Sequence, residues 1–327
     1  MAEVDLPVFE DVVAALGRLQ GRTLRTPVMN SPRFDARVGC EVHFKCENLQ
    51  HAGAFKFRGA LNALLQLDAA ARPGSVRVVA THSSGNHGAA LARAARELGW
   101  RCLVVVPRDA SAVKIAAIEA EGAELVRCEP GLAARETALA GIVDRIAAAV
   151  VHPFDDARVI AGQGTAALEL LAEQPALDVI TAPVGGGGLL AGTALVTRRM
   201  APRCRVVGAE PAMADDAARS FHGGSRVGLQ GSPATIADGL RGSIGVRPYA
   251  IFRSSVDDVV TVTEPAIVEA MRVALEDLRL LVEPSSAVPI AALLAGRVAP
   301  RGARIGVVVS GGNVDLSVCP FLSGKRH

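Results

Sequence analysis

The sequence predicts an α/β fold in which helices cover both faces of parallel sheets. Three observations predict it. Short β-rich runs alternate with Ala-rich helical stretches, Gly- and Ser-rich turns follow several of those runs, and aromatic residues make up only 3% of the chain. An all-β barrel or sandwich would need more aromatic and β-branched strands than that.

The elements follow in order. Residues 42–46 read as a strand and 55–67 as a helix. A strand over 76–81 leads through His82, Ser83, Ser84 and Gly85 into a helix over 86–98, with Gly99 where a C-terminal cap belongs. The same unit returns as strand 102–106 with helix 112–121, strand 124–127 with helix 133–149, and strand 178–184 with helix 189–200. Strands at 205–209, 259–262 and 305–309, and helices at 264–278 and 286–295, complete the pattern. Linkers are expected at 67–73 and 152–156. Repeated β-loop-α units imply parallel strands, and ligands of such sheets bind at the carboxyl ends of the strands.

Composition narrows the function. The chain has 327 residues, enough for two domains or one large one, and 35 Lys+Arg against 33 Asp+Glu give a formal charge of +2. No basic run is present, so neither nucleic acid nor an anionic membrane is indicated, and a small-molecule partner fits better. Residues 179–197 carry no charge, but Pro183 and the glycines Gly185 to Gly188 and Gly192 break any membrane span into strand, loop and helix. The amino terminus has acids where a signal peptide needs bases, so a cytoplasmic protein is expected. Six scattered cysteines read as reduced packing residues.

Four loops carry the chemistry. Gly185, Gly186, Gly187 and Gly188 follow an apolar strand and precede a helix, where backbone N–H groups can close on a phosphate. Residues 186–191 also satisfy a loose dinucleotide pattern, with Glu210 placed as a ribose-binding acid, and this alternative stays open. Lys56 lies between Phe55 and Phe57, and an apolar setting favours the nucleophilic free amine. Ser83, Ser84, Asn86 and His87 line a strand-to-helix turn that suits a carboxylate or simply caps the helix. Ser310 offers a hydroxyl at the end of strand 305–309.

Taken together, the stretches 47–64 (ENLQHAGAFKFRGALNAL), 81–88 (THSSGNHG), 183–192 (PVGGGGLLAG), 282–288 (VEPSSAV) and 308–316 (VVSGGNVDL) resemble the fold-type II pyridoxal-phosphate enzymes. Within these the sequence is similar to the serine/threonine dehydratase and serine racemase branch, and the match runs from about residue 20 to the end. The resemblance implies a tryptophan synthase β-like fold of two doubly wound open-sheet domains. The large cofactor domain would comprise 1–68 and 157–327, and a small mobile domain 69–156.

It also implies pyridoxal 5′-phosphate as cofactor. Lys56 would form the Schiff base, Asn86 would meet the ring oxygen, Gly185 to Gly188 would cup the phosphate, and Ser310 would meet the pyridine nitrogen. Ser83, Ser84, Asn86 and His87 would bind the substrate carboxylate. A neutral partner at the ring nitrogen favours prompt loss of a β-substituent, so the implied activity is dehydration and deamination of a hydroxy amino acid such as L-serine or L-threonine. Serine racemase and threo-3-hydroxyaspartate dehydratase are the alternatives. Ser84 stands where racemases of the family carry their second acid/base, whereas many dehydratases resemble SAGNH at this turn. Glu210, the Ala214 carbonyl and Asp216 would hold Mg²⁺ or Ca²⁺, and two hard carboxylates in a short loop suit such an ion. Glu283 is placed near the cofactor ring. His51 and Ala52 differ from the Lys-Thr of nucleotide-activated racemases. Phe154, Arg135 and the 241–243 loop are candidates for shaping specificity. A homodimer is expected, and the seventeen residues after Ser310 leave no room for a carboxyl-terminal regulatory domain.

Overall fold

A computed structural model describes residues 5–72, 74, 75, 77–316 and 319. The chain begins with α1 (Phe9–Leu19), β1 (Val28–Met29), α2 (Pro32–Val38), β2 (Glu41–Cys46) and α3 (Lys56–Ala70). It continues through β3 (Val78–Thr81), α4 (Asn86–Leu98), β4 (Arg101–Pro107), α5 (Ala112–Ala120), β5 (Glu124–Cys128), α6 (Leu132–Ile146) and β6 (Ala149–Val150). Then come α7 (Ala157–Glu173), β7 (Val179–Pro183), α8 (Gly188–Met200), β8 (Arg205–Pro211), α9 (Asp216–Gly223) and α10 (Val246–Ser255). The last elements are β9 (Asp258–Val262), α11 (Glu264–Val273), α12 (Pro284–Leu294) and β10 (Arg304–Val309).

Two sheets result. The six-stranded sheet has the order β1-β2-β10-β7-β8-β9, and the four-stranded sheet β5-β4-β3-β6. Every pairing is parallel except β1 with β2. Side chains alternate between faces along each strand, and each face finds its own core. Ile305, Val307 and Val309 pack with Phe34, Phe44 and Ile290, while Val308 points the other way among Ile180, Leu190 and Ile160. Val79, Val104 and Val106 likewise face Leu61 and Leu91, and Val78, Leu103 and Val105 face Leu139 and Ile142. The doubly wound α/β class is therefore as expected. The 179–197 stretch resolves into β7, the glycine loop and α8, and no described helix is long and apolar enough to cross a membrane. All six cysteines are free and buried, and burial pushes the Cys46, Cys102 and Cys204 thiols up to about 12, which makes them poor nucleophiles.

The helix over 86–98 and its cap at Gly99 (φ 69°) match the expectation. Other boundaries move. Helix α3 runs to Ala70, which shortens the expected 67–73 linker, and Pro73 and Val76 lie outside the described residues. The expected helix over 133–149 stops at Ile146, where Ala147 turns left-handed (φ 49°) to start β6. The 264–278 helix changes to a π turn at Ala274–Leu278, where the Asp277 carboxylate takes ion pairs from Arg33 (2.7 Å) and Arg37 (2.8 Å). Sequence patterning gave no sign of α7, whose Gly162 and Gly164 lower helix propensity. Those glycines are required by close packing. A Cβ on Gly162 would lie 2.6 Å from the Arg58 carbonyl of α3, and one on Gly192 of α8 would lie 2.6 Å from the Ile160 carbonyl of α7.

Between α3 and α7 lies a fully buried charge cluster. Arg58 binds Glu47 (2.8 Å) on one side and Glu169 (2.7 Å) on the other, while Lys45 reaches Glu169 (2.6 Å) and the Thr26 carbonyl (2.6 Å). Two cations balance two anions, and Thr26 and Thr165 take up further hydrogen-bonding positions. Removing one member of such a set strands the rest without solvent. Arg58→Met should therefore cost about 3–5 kcal/mol in denaturant unfolding, whereas a loss under 1 kcal/mol would show that the cluster does not hold α3.

Candidate active site

The site begins with one loop pinned to another. The Phe55 N–H donates to the Ser310 carbonyl (2.9 Å), the Gly312 N–H donates to the Gly53 carbonyl (3.0 Å), and Ala54 bridges Gly311. Lys56, the first residue of α3, is thereby set beside the carboxyl end of β10. Its Nζ donates to the Pro153 carbonyl (2.8 Å) and sits 5.0 Å from the Phe55 ring centre. Burial pulls its ammonium down to about 8, against the opposing pull of the Glu283 carboxylate. A free amine near neutrality is what a Schiff-base lysine needs.

Ser310 is buried, with its Oγ 2.8 Å from that of Ser286 in α12. Ser286 also accepts from the Gly311 N–H (2.6 Å) and lies 2.7 Å from the Gly311 carbonyl. This hydroxyl pair presents a neutral group. Asn86 opens α4, donates from Nδ2 to both Glu283 oxygens (2.9 Å each), and accepts at Oδ1 from Asn313 (3.0 Å). Burial raises the Glu283 carboxyl, while the Asn86 bonds oppose that shift.

The glycine loop lies next door, because β7 pairs with β10 through Ile305 to Val307 and their following residues emerge at one edge. Here glycine is a steric necessity. A Cβ on Gly186 would run into the Phe154 ring, one on Gly185 would lie 2.8 Å from the Leu240 Cα, and Gly187 has φ 86°. The loop feeds the first turn of α8, whose free N–H groups suit a phosphate.

The Ser83–His87 turn follows β3. None of its side chains caps α4, since Gly85 holds that position without a side-chain bond. Ser83 and Ser84 are part-exposed, which leaves the Ser84 hydroxyl available to a ligand. His87 is buried and bonded through Nε2 to the Val151 carbonyl (3.2 Å), and burial pushes its pKa well below the usual range. Its ring is neutral. What this turn offers a carboxylate is hydroxyls and the first N–H groups of α4.

Sequence reasoning missed the role of His152. Its Nδ1 accepts the N–H groups of Phe154 (3.3 Å) and Asp155 (2.9 Å), folding the turn that aims Pro153 at Lys56 and Phe154 at Gly186. Burial, then His82, lowers it to about 4. Ser286 and Asn313 were also missed, because each acts only through a partner distant in sequence.

Glu210 near the end of β8, and Ala214 and Asp216 just beyond it, are fully buried. Glu210 accepts from the Ala217 (3.2 Å) and Ala218 (2.9 Å) N–H groups, so it is turned away from any ribose role. Asp216 accepts from the Ile244 N–H (2.7 Å) and leaves Oδ1 without a partner. Burial pushes Glu210 well above the carboxylate range and Asp216 to about 6. Arg219 pairs with Asp215 instead. Two buried carboxylates without an ion-pair partner among the described residues fit a hard cation, although no cluster of three or more acidic, His or Cys side chains forms among them.

A low-pKa lysine, a glycine cup and a neutral hydroxyl at adjoining strand ends define a cofactor-dependent α/β enzyme. The model of the pyridoxal-phosphate-dependent enzyme family matches residues 19–311, and the chain belongs to that family. It is 42% identical over 316 residues to a beta-hydroxyaspartate dehydratase of Paracoccus denitrificans (strain Pd 1222), covering 97% of this chain and 99% of that one. It is also 42% identical over 320 residues to a serine racemase of Dictyostelium discoideum, covering 97% of each. The solved structure of maize serine racemase superposes with a TM-score of 0.91 at 39% identity, covering 96% of each chain. The dinucleotide alternative falls with this result.

In cofactor-free protein, acylation of Lys56 read by mass spectrometry should rise through a midpoint near pH 8, because the free amine forms above its pKa. A midpoint at the ordinary 10.5 would contradict the burial argument.

Proposed function

We propose that this protein removes water and then ammonia from a small 3-hydroxy amino acid, giving a 2-oxo acid. The substrate class is serine, threonine or 3-hydroxyaspartate. The observation that carries this reading is the placement of Lys56, with its depressed pKa, in a loop bonded to the one that holds Ser310. Bound pyridoxal phosphate supplies the electron sink that makes the bonds at the substrate α-carbon labile. Lys56 holds the cofactor and, once free, takes the α-proton. The turn at Ser83, Ser84, Asn86 and His87 binds the substrate carboxylate, Asn86 and Ser310 hold the cofactor ring, and Gly185 to Gly188 hold its phosphate. The hydroxyl leaves with a proton as water, the enamine tautomerises to an imine, and water converts that to the 2-oxo acid and ammonia.

A second reading, racemisation of serine, is favoured by one observation. The Ser84 hydroxyl caps no helix, so it is free for the second acid/base role that the resemblance to racemases gives it. We further infer that Glu210, the Ala214 carbonyl and Asp216 bind Mg²⁺ or Ca²⁺. Residues 69–156, which hold the four-stranded sheet, would form the small domain against 1–68 and 157–327, with Lys114 of α5 paired to Asp238 across the two. A cytoplasmic homodimer completes the reading.

The test is a panel of both enantiomers of serine, threonine and 3-hydroxyaspartate, assayed for 2-oxo acid and for chirality. Lys56→Ala should abolish turnover and the visible absorption of the bound cofactor, and an active Lys56→Ala protein would refute the assignment. Ser84→Ala should spare elimination from the L-substrate and slow enantiomer exchange by about a hundredfold or more. Equal loss of both activities would make Ser84 a carboxylate ligand only. Mg²⁺ at about 100 times its Kd should stabilise the protein by about 2.7 kcal/mol, and Asp216→Asn should remove that gain; an unchanged gain would place the ion elsewhere.

A further inference from the structure

Gln163, in the middle of α7, is fully buried, and neither its Nε2 nor its Oε1 has a hydrogen-bond partner among the described residues. An unpaired buried amide is costly, and natural proteins seldom keep one without a ligand or water to complete it. Its surroundings indicate which ligand. A Cβ built on Gly188 would lie 2.8 Å from the Gln163 Oε1 and 3.1 Å from the Phe154 carbonyl, so the amide borders the space that this glycine leaves open. Gly188 is the first residue of α8, and Cβ directions on a helix tilt toward its N-terminus. The amide therefore flanks the positive end of α8, beside the glycine loop.

Its backbone is held from both sides. A Cβ on Gly164 would lie 3.0 Å from the Gly192 carbonyl of α8, and a Cβ on Gly59 of α3 would lie 2.8 Å from the Val159 carbonyl and 3.0 Å from the Gln163 Cγ. Such close helix contacts fix Gln163 relative to the helix that carries Lys56 and to the helix that receives the phosphate.

We propose that Gln163 is a cofactor-binding residue whose amide donates a hydrogen bond to the phosphate group, directly or through one water. Turning the amide by 180° exchanges its nitrogen and oxygen at no steric cost, so either atom can face the anion. The inference rests on the cofactor of the family and not on the choice of substrate.

The test compares pyridoxal phosphate with pyridoxal, which lacks the phosphate, on the full-length protein. Gln163→Met keeps the shape and removes both polar groups. It should weaken pyridoxal phosphate binding about tenfold or more, the worth of a hydrogen bond to a charged group, while pyridoxal binding stays at the parental value. The melting temperature of the cofactor-free protein should stay level or rise, because an unpaired amide has been removed. A second variant, Gln163→Glu, places an acid beside the phosphate and should show the same selective loss, which decides the matter if the Met variant does not fold. Parental affinity for pyridoxal phosphate in either folded variant, equal loss toward pyridoxal, or a lowered melting temperature of a Met variant that does fold without cofactor would each overturn the proposal.

Discussion

The buried set of Lys45, Glu47, Arg58 and Glu169 is the constraint on which the placement of the site depends. Arg58 lies two residues beyond Lys56, and its guanidinium fork is fixed by carboxylates from the loop after β2 and from α7. Four charges removed from water must satisfy one another with good geometry or not be buried at all. Their arrangement locks the start of α3 in azimuth as well as position. The same helix is pressed against α7 by Gly59 and Gly162, so the lysine projects from a closely packed helix start.

Around that anchor the polar groups tend toward neutrality. Burial depresses Lys56, His87 and His152 and raises Glu283, and the Ser286–Ser310 contact is a pair of neutral hydroxyls. Charge is left to the ligand. On the proposed reading, phosphate and carboxylate are each received by helix starts, α8 and α4, whose N–H groups carry partial positive charge without any proton to lose. On the proposed reading, such a site moves protons at one amine and one hydroxyl without rearranging a network of ions.

What was legible in the sequence was local. Glycines after β7, the SSGNH turn after β3 and the serine after β10 are contiguous signals at strand ends, so they could be read before the fold was known. Helix α7 was not legible, because the glycines that disguise it exist for contact with Arg58 and Gly192, and contact partners leave no trace in propensity. Ser286, His152 and Gln163 were invisible for a related reason. A serine near a helix start and a glutamine in an Ala-rich run acquire their roles only when distant backbone arrives beside them, and a histidine before proline, whose bonds are local, matters only because the turn it folds meets Lys56. The acidic loop at Glu210 was legible as donors, but the burial that sets Asp216 and Glu210 apart from surface acids was not.

The pairing of β2 with β10, in register from Glu41 with Arg304 to Cys46 with Val309, also orders events in time. The strands of the four-stranded sheet all come from residues 78–150, although one of its faces packs on Phe57 and Leu61 of α3. The six-stranded sheet must wait for its central strand, β10, the last of the described strands, and closure of so long a loop is slow. Lys56 therefore emerges early and stays without its pocket until the segment around Ser310 threads between β2 and β7. Synthesis must pass Ser310 before the loop that carries Lys56 has the partner it is bonded to.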